Sequence, residues 1–194
     1  MKLKDVRGFS LIEMLVGLLV TGLIATALAT LMIQKSQMNK AQQMFTDAQI
    51  NARSSMQLIV SRLRSAGWDP MNAGIDTVHG DPDLSDDVSQ LEILADFDED
   101  GLTDGLDEAI LFRHVGDRVE WRRSAGAAFT IIATDISNDM DGDGVVEPMF
   151  QLDDPLNPEV VTVQITARSP APDPRSGEFI RYTLRNEVTL RKEL

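Results

Sequence analysis

The stretch RGFSLIEMLVGLLVTGLIATALATLMI, residues 7–33, decides the architecture. From Leu11 to Ile33 it is apolar apart from Glu13 and a few Thr and Gly. About 20 apolar residues suffice for a helix to cross roughly 30 Å of hydrocarbon, so the run is long enough to span a membrane. Lys2, Lys4 and Arg7 precede it against a single Asp5. The bias of basic residues toward the cytoplasm puts residue 1 inside and the rest outside. The run that ends at Ile33 is therefore read as a transmembrane helix.

Two plainer readings compete. A secretory signal peptide finds small residues at Ala25, Ala27 and Ala29, at the spacing a signal peptidase uses. Against it, the apolar run exceeds the usual 7–15 residues and continues through Leu31, Met32 and Ile33. A plain signal anchor leaves Glu13 unexplained, because an ionisable group at the centre of a span costs roughly 2.5–3.5 kcal/mol, and less near its end.

Arg7-Gly8-Phe9-Ser10-Leu11-Ile12-Glu13, followed by Met14-Leu15-Val16, resembles the cleavage and methylation signature of type IV prepilins and of the pseudopilins of type II secretion. The resemblance implies that a membrane peptidase cuts between Gly8 and Phe9, that Phe9 becomes an N-methylated terminus, and that Glu13 is the assembly carboxylate, so that residues 1–8 are a cleaved leader and residues 9–33 the transmembrane helix. Those roles make physical sense. The new amine of Phe9 in one subunit meets Glu13 of its neighbour, and misalignment leaves a charge buried without its partner. The partners implied are other pilin or pseudopilin subunits, prepilin peptidase, an inner-membrane assembly platform and membrane lipid. The implied location is the bacterial inner membrane, single-pass, with the C-terminal domain in the periplasm and later in a filament or at the cell surface.

From Gln34 to Arg64 there is neither Pro nor Gly. Met38, Ala41, Phe45, Ala48, Ala52, Met56, Ile59, Leu63 and Ala66 recur in steps of three and four, one helical stripe. Gly67 and Pro70 form a stop signal. Residues 34–66 are therefore expected as an amphipathic continuation of the same helix, about 85 Å in all. Residues 67–194 are expected as acidic loops and a small antiparallel sheet covered by that stripe. Strands are predicted at 90–94, at 109–115 and 118–123 around a Gly116-Asp117 turn, and at 128–133. Two C-terminal strands alternate apolar and polar: Val161, Val163, Ile165 and Ala167, then Ile180, Tyr182, Leu184, Val188 and Leu190, with Asn186 interrupting the second. The fold class is α+β, a long helix on an antiparallel sheet. The C-terminal half is similar to the larger minor subunits, PilW-like in pili and J-type in secretion, through RLRSAGWDP, GLTDGLDEAILFR and TLRNEVTLRKEL.

A net charge of −13 argues against a phosphate-tracking surface, so direct nucleic-acid binding is not expected. With no cysteine there is no disulfide staple and no thiol chemistry. No catalytic constellation appears, so the chain reads as a structural part and not an enzyme. His79 and His114 occupy unrelated contexts, His114 within a predicted strand, and Trp68 and Trp121 suit packing.

Residues 69–112 hold no Lys or Arg. Within them Asp96, Asp98, Asp100, Asp104 and Asp107 fall at positions 1, 3, 5, 9 and 12 of a calcium-loop frame. Gly101 sits at position 6, and Leu102 offers its carbonyl at position 7. A weaker cluster, Asp139, Asp141, Asp143 and Glu147, repeats the first half of that frame and has Phe150 where the last ligand belongs. Solvated acidic turns account for the same residues, since Asp and Gly are turn formers. The leading functional expectation is a structural minor subunit of a type IV pilus-like filament, with calcium as a possible cofactor. The alternative from another class is a membrane-anchored calcium-binding adhesin or hydrolase on a signal anchor.

Overall fold

The computed structural model describes residues 10–81, 88–154 and 158–190. The leader, Gly8 and Phe9 lie outside the described residues. The chain falls into two units, Met1–Gln42 and Gln43–Leu194. One helix, α1 (Leu11–Leu63, 53 residues), contributes to both.

In the first unit the helix is exposed along its length, with Leu11, Leu18, Leu23 and Met32 all open. It is long and apolar enough to cross a membrane. Its polar side chains are satisfied locally: the hydroxyls of Thr21, Thr26 and Thr30 donate to the carbonyls of Gly17, Gly22 and Thr26 at 2.7–2.9 Å. An apolar solvent demands that each donor find an internal acceptor, and an i−4 carbonyl is the nearest.

In the second unit the helix buries Ala48, Ala52, Ser55, Met56, Ile59, Val60 and Leu63. The expected stripe holds from Ala48 onward, while Phe45 stays partly exposed against the edge of the Tyr182 ring. The helix ends at Leu63, three residues before the predicted stop at 66. Tighter turns follow, from the Ser65 and Ala66 N–H to the Arg62 and Leu63 carbonyls. Gly67 then takes the left-handed conformation that favours glycine past a helix end (φ 71°), and its N–H donates to the Leu94 carbonyl.

Eight strands follow: β1 (Val78–Asp81), β2 (Val88–Leu94), β3 (Ala109–Val115), β4 (Arg118–Arg122), β5 (Thr130–Thr134), β6 (Phe150–Leu152), β7 (Val160–Arg168) and β8 (Arg181–Thr189). The α+β layout is as read, but the single expected sheet is two. One is five-stranded in the order β1-β2-β3-β4-β5; the other is β6-β7-β8. All pairings are antiparallel. Gly116-Asp117 makes the two-residue turn, with Val115 opposite Arg118 and Gly116 at φ 61°. Both sheets turn one apolar face to the same core: Leu91, Phe112 and Val119 from the first and Val163, Ile165 and Phe150 from the second join Ile59 and Leu63 of the helix. Each such side chain contributes about 1.5–3 kcal/mol on leaving water. The outer face of the first sheet is polar, with Arg113 paired to Glu120 and lying 3.5 Å over the Phe129 ring, and Arg122 near Glu92.

Polar contacts join the sheets. The chain leaves β5 through Asp135 (φ 60°), and Ile136 bridges to Ala167 beside β7. The Ile136 N–H donates to the Asp117 carbonyl, and its own carbonyl accepts from buried His114 Nε2 at 3.0 Å. The Phe150 N–H donates to the Ser89 hydroxyl at 3.3 Å. His114, expected to be structural, is therefore a tie between sheets. Burial pushes its pKa below the ordinary 6.5, with the Ile136 carbonyl, Asp117 and Gly116 acting weakly the other way. The folded protein therefore binds that proton less readily than the unfolded chain, and stability falls as pH drops below 6.5 toward the folded value. Asp69, Asp107 and Asp153 are held below the usual carboxylate value of 3.8, so their loss of stability comes at lower pH. Denaturant melts between pH 7 and pH 5 are expected to show the His114 decline, and His114→Gln to flatten it there.

Candidate functional site

The start of the apolar helix is built by Ser10 and Glu13. The Ser10 hydroxyl accepts from the Ile12 N–H at 3.2 Å, and Glu13 Oε2 accepts from the Ser10 N–H at 3.5 Å. Ser10 thus caps the second helical N–H, and Glu13, the third helical residue, reaches back to the Ser10 N–H as in one half of a capping box. Glu13 therefore has a local partner in an isolated chain. The S-x-x-E spacing before an apolar run is the signal for it, and reading Glu13 only as an assembly group misses it.

The acidic turn at 96–108 is organised by two buried carboxylates. Asp96 accepts from the N–H groups of Glu99, Asp100 and Gly101 at 2.7–3.2 Å. Glu108 accepts from Phe97, Asp98 and Gly105 at 2.6–3.0 Å. Both residues are almost fully buried. The base is closed by the Ala95 N–H donating to the Glu108 carbonyl. A β-carbon at Gly105 would collide with the Glu108 carboxylate, so a larger residue there must displace the side chain that organises the turn.

The structure gathers only part of the ligand frame. Carboxylate oxygens of Asp96, Asp98 and Glu108 come within 4.8 Å of one another. Asp107, at position 12, turns the other way: Arg123 binds both its oxygens and Arg62 lies 3.7 Å away. Side-chain bonding to Arg123 is the main cause of its lowered pKa. Asp100 accepts from the Leu102 N–H at 2.8 Å, and neither Asp100 nor Asp104 joins the carboxylate group. Glu108 takes the inward position one residue late, and its place at the mouth of β3 hid it from a frame that ends at Asp107. Although Asp98 is exposed, desolvation by the surrounding turn raises its pKa, with further contributions from Asp100, Glu108 and Asp96. Like charges crowd this corner, a cost that a cation relieves.

The second cluster lies on an excursion from the edge of β7. Ile136 pairs with Ala167 and Phe150 with Val163, so the chain leaves the β7 edge after Asn138 and rejoins it at Met149. Asn138 closes the base. Its Oδ1 accepts from the Thr166 N–H at 2.9 Å, its Nδ2 donates to the Glu147 carbonyl at 2.6 Å, and its own carbonyl accepts from the Glu147 N–H. Asp139, Asp141 and Asp143 bring oxygens within 4.8 Å of one another, whereas Glu147 bonds the Met140 N–H. Arg181 lies 3.6 Å from Asp139 and fills the space a β-carbon at Gly142 would take. This cluster thus has a cation of its own beside it.

Among the described residues no third group of metal-binding side chains is assembled. An apolar helix with a capped Glu at its head, running into an α+β domain, is the setting in which the comparison with known families falls. The prokaryotic N-terminal methylation motif matches residues 3–29. The chain therefore carries a type IV prepilin-like N-terminus. No curated protein and no solved structure matches it.

If the two buried carboxylates hold the acidic turn, Glu108→Ala is expected to cost about 3 kcal/mol, because three N–H groups lose their acceptor. Asp98→Ala, at an exposed position, is expected to stay within about 0.5 kcal/mol. Urea denaturation of the two variants in chelator checks the contrast.

Proposed function

We propose that this chain is a structural minor subunit, pilin or pseudopilin, of a type IV pilus-like filament. The methylation-motif match at 3–29, at the head of an unbroken apolar helix, carries the reading. In this reading prepilin peptidase cuts between Gly8 and Phe9, Phe9 is N-methylated, and α1 anchors the subunit in the inner membrane with its domain in the periplasm. Assembly draws the helix into a bundle of other subunits, beside the inner-membrane platform and lipid. There the Glu13 carboxylate exchanges its weak 3.5 Å bond to the Ser10 N–H for the charged amine of a neighbour's Phe9. Charge supports a minor role. Removing Lys2, Lys4, Arg7 and Asp5 takes the net charge from −13 to −15, which opposes the close packing of many identical copies.

Mass spectrometry of the membrane-extracted protein is expected to find a methylated Phe9 as its first residue. Glu13→Ala is expected to be processed and inserted but to be missing from sheared filaments. A mature start at Leu28 or Thr30 would falsify the reading.

We further propose that the turn at 96–108 takes a calcium ion through Asp96, Asp98 and Glu108. The three carboxylates that face one another within 4.8 Å support it, and the raised pKa of Asp98, due first to desolvation and then to its acidic neighbours, agrees. Extracellular calcium modules bind at roughly 10⁻⁴–10⁻³ M, so filling would follow export. A tenfold excess over the dissociation constant, within the millimolar range, adds about 1.4 kcal/mol to the folded state. Full-length protein in detergent is expected to melt higher in millimolar calcium than in chelator, and Asp98→Ala to remove the difference. Coincident melts of the parent protein in the two buffers count against the ion.

A further inference from the structure

β8 is the outer strand of its sheet, and among the described residues no strand pairs with its far edge. Its nine residues contain no Pro, and its register with β7 runs without a bulge. The Leu190 N–H donates to the Glu159 carbonyl and the Ile180 carbonyl accepts from the Ser169 N–H, both on the β7 side. Alternation then turns the N–H and C=O groups of Arg181, Thr183, Arg185, Glu187 and Thr189 to the open edge. Such an edge is a template for another strand, and proteins usually shorten it, kink it or place Pro on it. Here only side-chain charge guards it, and that charge is mixed: Arg185 and Glu187 are exposed and 3.2 Å apart.

We propose that β8 pairs antiparallel with β8 of a second copy of this chain, with Asn186 on the twofold axis. In that register Arg185 lies opposite the partner's Glu187, and Glu187 opposite the partner's Arg185. Thr183 lies opposite the partner's Thr189. All these positions turn their backbone groups outward, so the ladder bonds and the charge pairs coincide. Leu184 falls opposite the partner's Val188, and Asn186 opposite the partner's Asn186, at the intervening positions where side chains stand closer. Moving the axis to Arg185 or to Glu187 sets like charges opposite each other, and moving it to Leu184 leaves Arg185 opposite the partner's Thr183, so the Asn186 axis is the one that gives both Arg185 and Glu187 an opposite charge.

The helix-facing side of β8 suits the same partner. Although Leu184 and Asn186 point to that side, one is half-buried and the other exposed. A groove of about 490 Å³ separates them from Met56, Val60 and Arg64 of α1. In the paired sheet the partner's Leu184 and Val188 lie alongside and close the open side of the groove.

Because the chain has no cysteine, the axis can be read directly. Asn186→Cys places two thiols opposite each other at a close, non-hydrogen-bonded position, within the Cα separation a disulfide needs. Full-length Asn186→Cys protein in membranes, under mild oxidation, is expected to form a covalent dimer much faster than Ala125→Cys, a loop position away from β8. On the Asn186→Cys background, Arg185→Glu or Glu187→Arg is each expected to cut the dimer about ten-fold, since two charge pairs turn repulsive. The double swap is expected to restore it, and unchanged resistance of the domain to limited proteolysis in each single variant checks that these fold. Cross-linking no faster than at 125, indifferent to the swaps, or only to a different protein overturns the proposal.

Discussion

Everything in the second unit depends on one helical stripe, Ala48 to Leu63, leaving water. Neither sheet has a complete core by itself. The first supplies Leu91, Phe112 and Val119 and the second Val163, Ile165 and Phe150, and the helix inserts Ile59 and Leu63 among them. Small residues at Ala48 and Ala52 let the sheets approach the helix, and larger ones at Met56, Ile59 and Leu63 fill the space where it ends. The helix is therefore a shared wall, and its last turn is tied as well as packed. Arg62 reaches both Asp107 and the Trp121 ring.

The polar interior is arranged around this wall with few loose ends. Asp96 and Glu108 spend their oxygens on turn N–H groups, Asn138 closes a loop and completes the ladder at Thr166, and His114 spans from one sheet to the carbonyl of Ile136. Each of these groups is buried, where a missing partner would cost more than a made bond returns. The charges that remain are mostly on the outside and mostly negative, which keeps the domain soluble.

Much of this was legible in the residues. The helix follows from its long apolar run, and beyond Gln34 from absent Pro and Gly and the spacing of its apolar stripe. The Gly116-Asp117 hairpin follows from turn chemistry, and β7 and β8 from strict alternation. What resisted reading had physical reasons. β1 and β6 are four and three residues long, too short to show a period. The two sheets are joined by single polar contacts from His114 and Ser89, which no periodicity announces. On β7, Gln164 and Thr166 look like a solvent face but are buried, because neighbouring chain covers them. At the acidic turn the spacing pointed to Asp107, but Arg123, sixteen positions away in the chain, holds that carboxylate, and Glu108 turns inward instead.

The excursion between Asn138 and Met149 has one more consequence. Its two ends sit side by side on the same neighbouring strand, and Asn138 with Glu147 fastens them together at the base. Outside Asp139, Met140, Gly142 and Glu147, the intervening residues are tied neither to Arg181 nor to the base and bear no share of the core, so their number is free to drift. Lengthening such a segment costs little chain entropy, roughly 0.6 kcal/mol per doubling. This is the place on the domain where an epitope, a dye-binding tag or a whole guest module is best inserted, and where related chains would be most expected to differ in length.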